Sequence, residues 1–138
     1  MLTRDDNSFF RERMSFSFDV KAAVAATATL GICTPDPNRL FRIERVEILV
    51  EAAYAADPAN FYAMTLSHGA GPTTAASWST QTSAQGALAA NATQAMVLSG
   101  TDANLVVPAG ALLKLVLTKN GAAANIQPRV VIHGRYVN

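Results

Sequence analysis

The sequence is poor in the side chains that do chemistry: 138 residues hold one cysteine, two histidines and one tryptophan. The single thiol, Cys33, cannot close an intramolecular disulfide and reads as a small buried hydrophobe. Such sparing use of cysteine fits a reducing compartment. His68 and His133 belong to no H-x-H, H-E-x-x-H or paired-cysteine pattern, so neither a metal nor a cofactor is expected. Net charge is scarce as well. The 11 basic and 10 acidic residues leave +1, which speaks against a nucleic-acid footprint and against a polybasic membrane-surface segment. Long apolar runs are missing too, because Ala22 to Cys33 is too short and too weakly apolar to span a bilayer. A signal peptide reads poorly where Asp5, Asp6 and Glu12 interleave with Arg4, Arg11 and Arg13.

The familiar catalytic signatures are missing as well. Gly69-Ala70-Gly71-Pro72-Thr73-Thr74 has no third glycine and no lysine, so it is a turn and not a phosphate loop. No G-x-S-x-G elbow occurs. Glu44, Glu47 and Glu51 read with Arg42 and Arg45 as a solvated, salt-bridged strand face. Asn91-Ala92-Thr93 matches a glycosylation acceptor, which matters only in a secreted chain.

What the sequence does contain is alternation. In Ser15-Phe16-Ser17-Phe18-Asp19-Val20-Lys21 every even residue is apolar and every odd one polar, the mark of a half-buried strand. Val46, Ile48 and Val50 share one parity, whereas Phe41 and Ile43 take the other; either a bulge near Glu44 restores one apolar face or the break marks where the strand begins. Tyr62, Met64 and Leu66 form a third run, and Leu113, Leu115 and Leu117 a fourth. Val130, Ile132 and Tyr136 close the chain, with Arg129, His133 and Arg135 opposite them. Asp57-Pro58-Ala59-Asn60 is a turn, and with it Val50 to Leu66 reads as a hairpin. Asn120-Gly121 is a second hairpin candidate. Glu51 to Ala56 reads as either strand or one helical turn, and so does Ala22 to Thr29, where the β-branched Thr27, Thr29 and Ile32 favour strand. Short strands between turn-rich segments predict an all-β chain: a single antiparallel β-sandwich, jelly-roll-like, over residues 14–138, with an extended N-terminal arm over 1–13.

Two features point outward. From Pro58 through Thr101 there is no Asp, Glu, Lys or Arg, which fits either small-residue loops or a surface covered by another subunit. The arm carries Phe9 and Phe10 beside Arg11 and Arg13, and two adjacent exposed phenylalanines call for docking in cis or in trans. Trp78 is a core or interface anchor, or a sugar-stacking platform. Arg129, His133 and Arg135 form either an anion site or an exposed face whose charges discourage sheet association. A pocket gathering His68, His133 and a carboxylate would be needed for an enzyme.

Asp57-Pro58-Ala59-Asn60 followed by Phe61-Tyr62-Ala63-Met64-Thr65-Leu66 resembles segments of small tailed-phage virion proteins. So does the stretch from Val107-Pro108-Ala109-Gly110 to Thr118, with the closing Gly134-Arg135-Tyr136. The resemblance is one of style and spacing over residues 14–138 and carries no diagnostic motif. It implies a non-enzymatic β-sandwich module, a head decoration or cement protein at the capsid surface, assembled in the host cytoplasm. The partners implied are the major capsid protein or another virion protein and copies of itself, with a trimer favoured. The alternative is a carbohydrate- or receptor-binding module of a phage fibre or spike. That version requires Trp78 or a tyrosine in a groove with polar neighbours.

Overall fold

Alternation decides which face of each strand is buried, and the computed structural model shows how those faces meet. It describes residues 13–20, 24–71 and 73–137. Their strands are β1 (Arg13–Asp19), β2 (Ala28–Cys33), β3 (Leu40–Val50), β4 (Tyr62–His68), β5 (Thr73–Ser79), β6 (Gln94–Ala95), β7 (Val97–Leu98), β8 (Val106–Val107), β9 (Leu113–Lys119) and β10 (Pro128–Val137). A short 3-10 turn, Asp102–Leu105, precedes β8. The antiparallel pairings are nested: β1 with β10, β2 with β9, β3 with β6 and β8, β4 with β5. Ladders β3–β10 and β4–β9 join them into sheet I (β1-β10-β3, then β6 and β8) and sheet II (β2-β9-β4-β5-β7). Nested pairs rolled into two facing sheets are the jelly-roll arrangement. The all-β sandwich is therefore the observed fold.

The core lies between the sheets. Phe41, Ile43, Val46, Ile48, Val130 and Ile132 come from sheet I, and Tyr62, Met64, Leu66, Leu113, Leu115 and Leu117 from sheet II, all at 1% exposure or less. The parity change in β3 is resolved as anticipated. Arg45 pairs with His133 and Ile43 with Gly134, so Glu44 is the extra residue of a bulge. Gly134 makes that bulge packable. A Cβ there would stand 2.2 Å from Arg42 O and 2.5 Å from Phe41 Cζ. The Phe41 ring instead lies edge-on to Phe16 and to Tyr136, with centroids 5.4 and 5.5 Å away. Arg39 covers the Tyr136 ring at 4.4 Å, and the Tyr136 hydroxyl donates to Pro35 O.

Residues 94–107 close one side of the sandwich. The chain pairs with β3 through β6, crosses to β5 through β7, and returns to β3 through β8. On the other side β1 and β2 are edge strands, and their inward residues Phe16, Phe18, Leu30 and Ile32 are only half-buried.

Four local expectations are corrected. Val50 to Leu66 and Asn120-Gly121 are not hairpins, because β3 and β4, like β9 and β10, lie in opposite sheets. Gly121 does take a positive φ of 60°, but its turn is held by Asn60 Oδ1, which accepts the Ala122 N–H. The second strand begins at Ala28, since Val24 makes only an isolated bridge to Ile126. Glu51 to Ala56 is irregular, and Tyr54 bridges to Leu88. Of the consecutive long strands, β4 and β5 form the hairpin, through Gly69 at φ 80°.

Gly134→Ala is expected to cost about 3 kcal/mol by overpacking against Phe41, read from urea denaturation. The control Gly31→Ala, whose Cβ would meet only Leu112 at 3.5 Å, should stay within about 0.5 kcal/mol. Ser67 Oγ is buried with no hydrogen-bond partner among the described residues. Ser67→Ala should therefore raise stability by about 1 kcal/mol; a clear loss would show the hydroxyl to be satisfied.

Candidate interaction surfaces

The two outer faces differ in chemistry. On sheet II the register sets Thr29, Val116, Thr65, Ser77 and Val97 in one row across all five strands. A neighbouring row holds Thr118, Ala63 and Ser79. These side chains are short and uncharged. Lys114 brings a charge to its border, and its Nζ donates to Gly69 O at 2.8 Å. Three of the five strands, β4, β5 and β7, come from the charge-free span Pro58 to Thr101.

Sheet I turns its charges outward, and they are matched. Arg129 pairs with Asp19, Arg135 with Glu44, Arg42 with Asp102, and Glu47 accepts from both Arg45 and His133. The bulge residue Glu44 thus also supplies an ion-pair partner. Arg42 holds the Asp102 carboxyl below its usual range, chiefly by direct hydrogen bonding. Each side chain of the Arg129, His133 and Arg135 group already has a carboxylate beside it. The geometry favours a solvated, paired face over an anion site. Across three strands, Ser15 Oγ lies 2.8 Å from His133 Nδ1, and His133 Nε2 lies 2.9 Å from Glu47 Oε2. The residue types are those of a nucleophile, a base and an orienting carboxylate. Ser15, however, stands on an exposed edge strand, and Glu47 is shared with Arg45.

The residues singled out in the sequence are not brought together. Phe9, Phe10 and Arg11 lie outside the described residues, and Arg13 opens β1. Trp78 faces inward from β5 beside Met64 and is 8% exposed, so it offers little surface to a partner or a sugar. His68 ends β4 and is not in a loop; it is buried, with Nε2 2.9 Å from Asn104 O. His133 stands on the outer face of sheet I, so the two histidines share no pocket.

One groove was not foreseen. Tyr54, Asp57, Asn60, Thr80, Ala123 and Asn125 line a depression of about 500 Å³ at a loop end of the sandwich. Much of its polar chemistry serves the turns. Asp57 Oδ1 accepts the N–H groups of Asn60 and Ala59, which hold the carboxyl below its usual range. Thr80 Oγ1 accepts the Tyr62 N–H. Tyr54 escaped notice because an alanine-rich stretch gave it no periodic context.

A depressed folded-state pKa stabilises above the unfolded carboxylate value, and that stability is lost as pH falls through the folded value. Asp57→Asn should therefore flatten the acid limb of stability below about pH 4, followed as thermal midpoint against pH. An unchanged limb would show that the turn hydrogen bonds do not hold the carboxylate.

No protein-family model matches the chain, and no curated protein matches it. Among solved structures, a chain of "Structure of infectious bursal disease virus Gx strain" is similar at 12% identity with a TM-score of 0.39. The match covers 89% of this chain and 32% of that one, so this protein spans about a third of that chain's length.

Proposed function

We propose that this chain is a non-enzymatic structural protein of a virus particle, a decoration or cement subunit of a tailed-phage head. It would bind the shell and its own copies at the capsid surface. The observation that carries the reading is the row of short uncharged side chains across all five strands on the outer face of sheet II. Covering these rows requires no charge to be desolvated, whereas covering the ion-paired face of sheet I would. A subunit that binds only the assembled shell stabilises it by mass action. The jelly roll, a frequent capsid architecture, adds a fold-level analogy.

A second reading, a carbohydrate-binding module, is favoured by Tyr54 in its groove with Asp57, Asn60 and Asn125 nearby. Trp78 does not serve it, being buried.

The test is co-sedimentation with purified heads of the phage that encodes the chain. The wild type should pellet with heads, and Thr65→Glu/Ser77→Glu should stay in the supernatant with its thermal midpoint little changed. Absence of wild-type binding, together with a glycan-array signal lost in Tyr54→Ala, would replace the first reading by the second.

A further inference from the structure

We propose that Ser15 is a base-activated nucleophile, a modification site that takes one acyl group from an activated ester, with His133 as its general base and Glu47 as the positioning residue. The site follows from register. β1 pairs with β10 so that Ser15 lies opposite His133, and β10 pairs with β3 so that Val131 lies opposite Glu47 and His133 opposite Arg45. Just past β1, the Val20 N–H donates to Pro128 O at 3.1 Å. Bonded and non-bonded pairs alternate along an antiparallel ladder, so Ser15 and His133 form a non-bonded pair, the kind whose side chains stand closest. Both project from the outer face of sheet I, and Ser15 Oγ lies 2.8 Å from His133 Nδ1.

The polarity of this hydrogen-bonded row is fixed from its far end. Glu47 is ion-paired to Arg45, and only 14% of its side chain is exposed. As a carboxylate it can only accept, so His133 Nε2, 2.9 Å away, carries the hydrogen. The neutral ring then turns its Nδ1 lone pair to Ser15, and the hydroxyl donates to it. A general base needs this state, and the carboxylate is in place to stabilise the imidazolium that forms.

Exposure decides what this serine can meet. Ser15 is exposed and the His133 side chain is 37% exposed, so an electrophile reaches the hydroxyl directly from solvent. An open sheet surface does not enclose a substrate, so the acyl donor must bring its own activation, as an aryl ester does. Ser15 Oγ bonds to the carbonyl carbon while its proton passes to His133 Nδ1. The bond from that carbon to the aryloxide oxygen breaks, and the aryloxide takes the proton from His133 and leaves as the phenol. The acyl group stays on Ser15, and His133 is neutral again. This chemistry goes beyond shell binding and uses the opposite sheet. Ser17 is an internal control, exposed on the same face but opposite Val131, which offers no base.

The test is labelling of the full chain with a fluorophosphonate probe. There the Ser15 Oγ–P bond forms, the P–F bond breaks, fluoride leaves, and the proton passes through His133 to water. Peptide mapping should find the label on Ser15 and not on Ser17. Ser15→Ala should abolish labelling, and His133→Gln should slow it about 10²-fold, with thermal midpoints little changed. p-Nitrophenyl acetate should acetylate the same serine in the wild type and not in His133→Gln. The labelling rate should rise with pH as His133 becomes neutral. The charged groups facing its ring are Glu47 and Arg45 of β3, Arg13 of β1, and Arg135 of β10 with its partner Glu44. Glu47→Gln should move the midpoint of the rate profile to lower pH, because the imidazolium loses its carboxylate; a merely structural Glu47 would leave that midpoint in place. No labelling, equal labelling of Ser15 and Ser17, or a Ser15 rate indifferent to His133→Gln would overturn the proposal. If His133→Gln fails to fold, the choice between Ser15 and Ser17 in the wild type decides it. Head binding that survives Ser15→Ala would leave the shell reading untouched by either result.

Discussion

The ladder between β3 and β10 is the constraint on which the rest of the sandwich depends. These are the two longest strands, and they form the middle of sheet I. Without the extra residue at Glu44, the two halves of β3 would present opposite parities, and either Phe41 and Ile43 or Val46 and Ile48 would face water. The bulge requires space where the backbone bends, and Gly134 supplies it by carrying no Cβ beneath the Phe41 ring. Phe41 in turn holds Phe16 of β1 and Tyr136 of β10, so a missing side chain organises the aromatic end of the core.

This dependence explains what could be read from the sequence. Side-chain parity is a local property, so the inward sets of β1, β3, β4, β9 and β10, and the bulge, were legible from alternation. Strand partnership is not local. Asp57-Pro58 and Asn120-Gly121 announce a reversal of direction, but a turn between strands of one sheet and a turn between sheets use the same residue types. Nested pairing sends nearly every connection between sheets, and both hairpin expectations failed for that reason. His68 misled through its neighbours: Gly69 and Gly71 suggested a loop, whereas the strand runs to the last residue before the turn. The candidate sites were less legible still. Tyr54 lies in an irregular stretch, and the pairing of Ser15, His133 and Glu47 exists only once three distant strands are laid side by side.

The two outer faces divide the surface by hydration. On sheet I each arginine of β3 and β10 has a carboxylate within an ion pair, which keeps that face wet and electrostatically quiet. On sheet II the threonines, serines and alanines hold water weakly and present no charge to be buried. Charge avoidance across Pro58 to Thr101, puzzling as composition, becomes intelligible as the chemistry of one face and one loop end of the sandwich.

The crossing of residues 94–107 from sheet I to sheet II and back seals one side of the molecule, whereas the opposite side ends in the edge strands β1 and β2. A sandwich with two open sides could add neighbours without end and would tend toward filaments. Here the long edge strands, β1 of sheet I and β2 of sheet II, are gathered on one side, so growth by strand addition is directed from that side.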